Sequence, residues 1–286
     1  MDIGIYSVFM SKNCLAIHDI CSFSKCSLTV VIPIMEALNV EVCPLPSALL
    51  STQTDGYKDF YMKDLSNSME KIFKIFKRES FSFDSIYSGF LSNYNQISIV
   101  KNIIEYYKKE SNSLIVVDPV MGDNKKLYPT ISEKHLEAMK ELITLADIIT
   151  PNITEASLLA ERPTKDCYSL CEVEDLLTKL SFKGPKVVII TSIKLENDEK
   201  IYIAIINDGK KQLYFAEDLK LHYPGCGDLF ASTLTAKIIN GFTVEDAAKY
   251  ADNLCHQALI GSKKNNRNNQ LGISTLEALK FIKFAN

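Results

Sequence analysis

Arginine is nearly missing from this chain. Arg78, Arg162 and Arg267 are the only three, so bidentate guanidinium clamps are scarce. The eight cysteines, at 14, 21, 26, 43, 167, 171, 226 and 255, form no CxxC pair, and no histidine cluster accompanies them. That argues against zinc. In a chain of this length they read as reduced, buried thiols of a cytoplasmic protein, not as a disulfide framework. No apolar run reaches the roughly 18 residues of a membrane span. The opening MDIGIYSVFMSKNC has no basic stretch ahead of its short apolar one, so it does not read as a signal peptide. A net charge of −3 leaves no broad basic field for nucleic acid. Also absent are the GxxxxGK(S/T) P-loop, a GxGxxG after a strand, and an HRD or DFG pair. Phosphate chemistry, if there is any, uses another scaffold.

What is present is alternation. Short apolar runs (CLAIHD, 14–19; DIITPN, 147–152; PKVVIITS, 185–192) are interleaved with helix-like segments such as LSNSMEKIFKIFK (65–77) and SEKHLEAMKELITLA (132–146). VEVCPLPSALLS (40–51) reads as a strand running into a loop. Residues 200–217 read as a hairpin about Asp208-Gly209. GSKKNNRNNQLG (261–272) reads as a loop, and Tyr6, Phe9, His135 and His256 as packing or surface groups. Without repeats or a linker, residues 1–286 are expected to form a single α/β domain: a doubly wound, mostly parallel sheet with helices on both faces.

In such a sheet ligands bind beyond the carboxyl ends of the strands. Polar residues cluster there: His18-Asp19, Gly89-Phe90, Asp118, Gly122-Asp123, Thr150-Pro151-Asn152 with Glu155, and Thr191-Ser192. LHYPGCGDLFAS (221–232) places small residues ahead of a helix, where backbone N–H groups and the helix dipole favour an anion. A carboxylate at that place, Asp228, has two readings. It accepts a proton from a hydroxyl attacking a phosphate, or it stabilises the first helical turn; the stretch alone does not choose.

Four stretches in order, DPVMGDNKKLYPT, ADIITPNITEASLL, VVIITS and GCGDLFAS, resemble the pyridoxal kinases of the ribokinase-like superfamily over nearly the whole chain. The resemblance implies a ribokinase-like fold and transfer of phosphate from ATP to the 5′-hydroxymethyl of pyridoxal, with pyridoxine and pyridoxamine as further substrates. It implies Asp228 as base and the amides of Gly225, Cys226 and Gly227 as the anion hole. It assigns Asp118, Glu155 and Thr150 to Mg²⁺ and a monovalent cation such as K⁺. Asp123, Asn152, Thr191 and Ser192 fall to the nucleotide phosphates, and Ser47 and Phe90 to the B6 ring. A cytoplasmic homodimer is implied as well.

There are departures. Cys226 stands where threonine is common, and its thiol is expected to be oxidation-sensitive if the helix end lowers its pKa. Asp19 stands where many relatives place a serine against the ring, which bears on ring specificity. Lys125 and Lys126 replace a histidine-glycine pair and are read as solvated. Residues 55–59 and 122–130 are candidate closing loops. The alternatives are a hydroxymethylpyrimidine (phosphate) kinase, whose relatives often have cysteine where Asp228 stands, and a non-catalytic B6- or nucleotide-binding protein.

Overall fold

On strand β1 (Lys12–Phe23), Leu15 and Ile17 enter one core while Cys14 and Ala16 enter another. Strand β5 (Leu114–Val117) divides the same way, Ile115 and Val117 against Val116, as does β9 (Val187–Lys194), Val188 and Ile190 against Val187 and Ile189. A run apolar on both faces is what a parallel strand between two helical layers requires. The computed structural model describes residues 11–54 and 57–285. In it the first core is covered by α2 (Ser66–Arg78), α3 (Tyr94–Glu110), α4 (Glu133–Leu142), α5 (Ile153–Leu159) and α6 (Leu170–Phe182). The second is covered by α1 (Leu28–Ala37), α7 (Cys226–Ile239), α8 (Val244–Lys264) and α9 (Thr275–Ala285).

The remaining strands are β2 (Val40–Thr52), β3 (Met62–Asp64), β4 (Ser85–Ser88), β6 (Gly122–Asp123), β7 (Lys126–Leu127), β8 (Ile148–Ile149), β10 (Ile201–Asn207) and β11 (Lys210–Ala216). The main sheet has nine strands in the order β11-β10-β9-β8-β5-β4-β1-β2-β3. Neighbours from β9 to β2 are parallel, while β3 at one edge and β10-β11 at the other are antiparallel. The expected doubly wound sheet and terminal hairpin are therefore both found. The β1–β2 register slips between His18 and Ile20, so Asp19 lies in an irregularity that re-aims side chains.

Several local expectations differ. β2 continues as a strand through Pro44 and Pro46 to Thr52. β3 pairs only with Ala48–Leu50, so the prolines lie on an edge stretch, where a sheet tolerates them. The hydrophilic 261–272 stretch begins as helix. Gly261 packs against Glu277 of α9, Ser262 is buried, and Arg267 donates to the carbonyls of Leu271 and Gly272. Its polar composition belongs to the outer face. His135 is buried on the inner face of α4, whereas Cys167 and Cys171 are exposed. His256 meets Glu217 near the surface. Residues 122–127 form the small β6–β7 hairpin, not an open loop. Its Lys125 pairs with exposed Asp166, in keeping with a solvated side chain. Tyr6, Phe9 and residues 55–56 lie outside the described residues.

Asp208 and Gly209 carry φ of 45° and 79° in the β10–β11 turn, the signs of a type I′ hairpin. Nothing lies within 4 Å of a Cβ built on Gly209, so alanine there meets only left-handed backbone strain. Gly209→Ala is expected to cost about 1 kcal/mol. Urea unfolding should show a lower midpoint with an unchanged slope; an unchanged midpoint would show the turn relaxing freely.

Candidate active site

The site grows from the start of α7. Gly225 is its N-cap residue, at φ 89° and ψ −1°, and no side chain caps the helix. Glycine is required twice over. The backbone is left-handed, and a Cβ would lie 2.5 Å from the carbonyl oxygen of Lys25. The helix begins at Cys226, three residues before the apolar run, so Cys226, Gly227 and Asp228 form its first turn. Their N–H groups belong to the donors that an α-helix leaves without intrahelical partners, and the dipole adds positive potential there.

Asp228 is held from the start of α1, on the same face of the sheet. Its Oδ2 accepts the backbone N–H of Ser27 at 2.7 Å; its Oδ1 accepts no hydrogen bond among the described residues and lies 3.8 Å from Nδ1 of His18. The His18 ring is fully buried, edge-on to Tyr87, with a centroid distance of 4.4 Å. Gly89 makes room for it: a Cβ there would sit 2.1 Å from Cε1 of His18. Asp118, at the end of β5, bonds through its N–H to the Ser88 carbonyl. Its Oδ2 would lie 3.8 Å from a Cβ on Gly227. Thus the middle of β1 and the ends of β4 and β5 meet the first turn of α7.

Glu155 is committed structurally. Oε1 accepts from the N–H of Met121 at 3.0 Å and Gly122 at 3.4 Å; Oε2 accepts from Asn152 at 2.9 Å. With Asn152 it forms the capping box of α5, and Asn152 Nδ2 reaches the Gly122 carbonyl at 2.8 Å. The pair ties the β6–β7 hairpin to the sheet. Thr191 bonds through its N–H to the Pro151 carbonyl, Ser192 is exposed, and Asp123 accepts from its neighbour Asn124. Among the described residues, no hydrogen bond or ion pair joins Asp123, Thr191 or Ser192 to the Asp228 cluster. Ser47 and Phe90 do come together, Ser47 Oγ donating to the Phe90 carbonyl at 3.0 Å.

The electrostatics are those of crowded buried carboxyls. Burial pushes Asp228 up to about 6 against the stabilising Ser27 amide. Burial, then the Glu155 and Asp228 charges, lift Asp118 well above the usual range. Glu155 is raised by burial despite its three amide donors. Burial lifts Asp19 to about 7, with the Ser27 hydroxyl opposing and Asp228 adding. Burial also lowers His18 to about 3, so its ring is neutral and supplies no compensating charge. Ser88 Oγ, Tyr87 Oη and Thr233 Oγ1 are buried with no hydrogen-bond partner among the described residues. Such groups point to water, an ion or a ligand. The Cys226 thiol contradicts its expectation: burial pushes it up to about 12, so the helix end does not activate it.

Sequence reasoning missed Ser27. A serine ahead of an apolar helix reads as an N-cap, yet its side chain makes no cap bond to α1. Its hydroxyl donates instead to Asp19 Oδ1 at 2.5 Å.

A carboxyl whose pKa is raised by folding binds its proton more tightly when folded, so it destabilises the fold as pH rises from the unfolded value through the folded one. The buried histidines work in the opposite sense: His18 and His135, lowered to about 3 and about 4, add stability as pH rises, up to the ordinary histidine value near 6.5. The melting temperature of the ligand-free protein should therefore fall between pH 6.5 and about 8. Asp19→Asn should make that fall shallower. An identical slope in the variant would mean that Asp19 titrates normally in the fold.

The family model for phosphomethylpyrimidine kinase matches residues 32–272. A pyridoxal kinase of Dictyostelium discoideum is 32% identical over 70% of this chain and 69% of its own. Among solved structures, a protein of Bacteroides thetaiotaomicron named for phosphomethylpyrimidine kinase, in a crystal form with pyridoxal, superposes with a TM-score of 0.90. It is 36% identical and covers 96% of each chain. Pyridoxal kinase from Lactobacillus plantarum superposes with a TM-score of 0.87 at 28% identity, over 97% of this chain and 98% of that one.

Proposed function

The chain belongs to the phosphomethylpyrimidine kinase family, and within it we propose that this protein transfers the γ-phosphoryl group of ATP to the 5′-hydroxymethyl of pyridoxal, and to that of pyridoxine and pyridoxamine. The observation that carries the reading is Asp228. One of its oxygens is tied to the Ser27 amide while the other, with no hydrogen bond among the described residues, lies at a helix start suited to an anion. The hydroxyl oxygen attacks the γ-phosphorus, the new O–P bond forms as the bond to ADP breaks, and the hydroxyl proton passes to Asp228 Oδ1. The N–H groups of Gly225, Cys226 and Gly227 stabilise charge on the transferred group without reorganising. Asp123, Asn152, Thr191 and Ser192 complete the nucleotide side, and Ser47 and Phe90 the ring side.

The raised Asp118, the neighbouring Glu155 and the Thr150 hydroxyl beside Asp118 suit a cation. Asp118, largely through water, would hold Mg²⁺, and Glu155 with Thr150 would face a monovalent ion such as K⁺. Bound Mg²⁺ supplies neutralisation of charge on the phosphates. Among the described residues no cluster of three His, Cys, Asp or Glu is built to hold a metal alone, so the phosphates would supply the other ligands. The homodimer and the cytoplasmic setting that the resemblance implies belong to this reading, and sedimentation at twice the chain mass would support the dimer.

A hydroxymethylpyrimidine kinase is the second reading, favoured by the description of the matching family model. It is opposed by the aspartate at position 228, where pyrimidine kinases often carry cysteine. ADP release with Mg²⁺, K⁺ and ATP, measured against the three B6 vitamers and hydroxymethylpyrimidine, separates the two. We expect turnover with the vitamers; turnover with the pyrimidine alone would overturn the proposal, and binding without turnover would leave a sequestering protein. Asp228→Ala should lower kcat by about 10²–10⁴-fold with ATP binding retained. A loss under about threefold would remove Asp228 as the base.

A further inference from the structure

We infer that Ser27 is a positioning residue for the phosphoryl-transfer step, aiming the Asp228 carboxylate, and that Asp19 acts by anchoring Ser27. The inference rests on the kinase reading above. Four hydrogen bonds at this residue support it. Ser27 N–H donates to Asp228 Oδ2 at 2.7 Å. Ser27 Oγ donates to Asp19 Oδ1 at 2.5 Å. The Ser27 carbonyl receives the N–H groups of Val30 and Val31, each at 2.9 Å, and so starts α1. One residue thereby links the irregularity within β1, the start of α1 and the start of α7.

The backbone at Ser27 is unusual. Its φ is 50° and its ψ −135°, a conformation that non-glycine residues rarely hold. Serine at the first position of a helix ordinarily turns its hydroxyl to the helix amides. Here that bond is not made, and the hydroxyl goes the other way, to Asp19. A local rule broken with a compensating bond is expected where geometry serves a site. The segment before it is pinned as well. Lys25 N–H donates to the Leu271 carbonyl at 2.9 Å, and the Lys25 carbonyl crowds Gly225 and Gly272, where a Cβ would stand 2.5 and 2.1 Å from its oxygen. The strained peptide is held from behind, and its N–H has one orientation.

Asp19 fits an anchor better than a ring contact. It is buried to 3% exposure, inside the β1–β2 irregularity. Without an acceptor at that point, the Ser27 hydroxyl is freed, the peptide relaxes toward ordinary φ, and its N–H swings from Oδ2. Both oxygens of Asp228 then lose their set direction toward the substrate hydroxyl. Misplacement of this kind costs rate, not ground-state affinity.

The experiment compares the parent with Asp19→Ala, Asp19→Asn and Ser27→Ala, each with the MgATP and pyridoxal KM and kcat per correctly folded chain, the folded fraction taken from thermal unfolding. Asp19→Ala and Ser27→Ala should each lower kcat about 10- to 100-fold, with KM for MgATP within about twofold of the parent. Asp19→Asn, which keeps an oxygen acceptor for the hydroxyl, should recover kcat to within about threefold. A general packing role would lower the folded fraction and leave kcat per folded chain unchanged. A ring-contact role would move KM for pyridoxal in Asp19→Asn as much as in Asp19→Ala. Either result overturns the inference while leaving the kinase reading intact. A parent that turns over no B6 vitamer overturns both.

Discussion

A single hydrogen bond, from the Ser27 amide to the Asp228 carboxylate at 2.7 Å, joins residues 201 apart in sequence. The arrangement of the rest of the site follows from what must hold for it to form. α1 and α7 have to start side by side, which places both on the same face of the sheet. Gly225 has to be left-handed and lack a side chain, or the Lys25 carbonyl could not pass. Gly272 must be bare for the same reason, which ties the turn after α8 to the seam. Three distant segments close on one another, and Asp228 Oδ1, beside the His18 ring, is left without a hydrogen bond among the described residues.

The constraint has an electrostatic cost. Asp19, Asp118, Glu155 and Asp228 all lie where burial raises their pKa values. Glu155 offsets part of that with three backbone donors, Asp228 with the Ser27 amide and Asp118 with the Thr150 side chain. A neutral His18 adds none. A fold optimised for stability alone would not gather these groups. A site that handles polyphosphate and a cation gains from them, because the charge they need arrives with the ligand.

The sheet was legible in the sequence because its strands are apolar on both faces and its helices open on cap residues such as Ser132 and Thr243, which accept the amides of His135 and Asp246. Asp118, Thr150 and Asp228 were legible because strand ends and helix starts can be placed without knowing the packing. What was not legible depends on long-range contact. The extension of β2 through two prolines depends on how short β3 is. The helix within 261–264 depends on α9 packing against Gly261. The inert Cys226 thiol depends on burial that composition does not reveal. Ser27 was hidden by its own resemblance to an ordinary cap, since only the tertiary fold shows its hydroxyl turned to Asp19. Glu155 and Asn152 were picked out for ligand roles, and the structure adds the capping box that they form with each other.

The most direct test of this account is the rate of ADP formation by Gly225→Ala with MgATP and pyridoxal, in protein shown by circular dichroism to be folded. A Cβ at Gly225 must displace the Lys25 carbonyl and the peptide that leads to Ser27. The account predicts a loss of about 10²-fold or more in kcat with the secondary structure intact. A folded variant with the parent's kcat would show that the seam between residues 24–27 and the start of α7 does not set the position of Asp228.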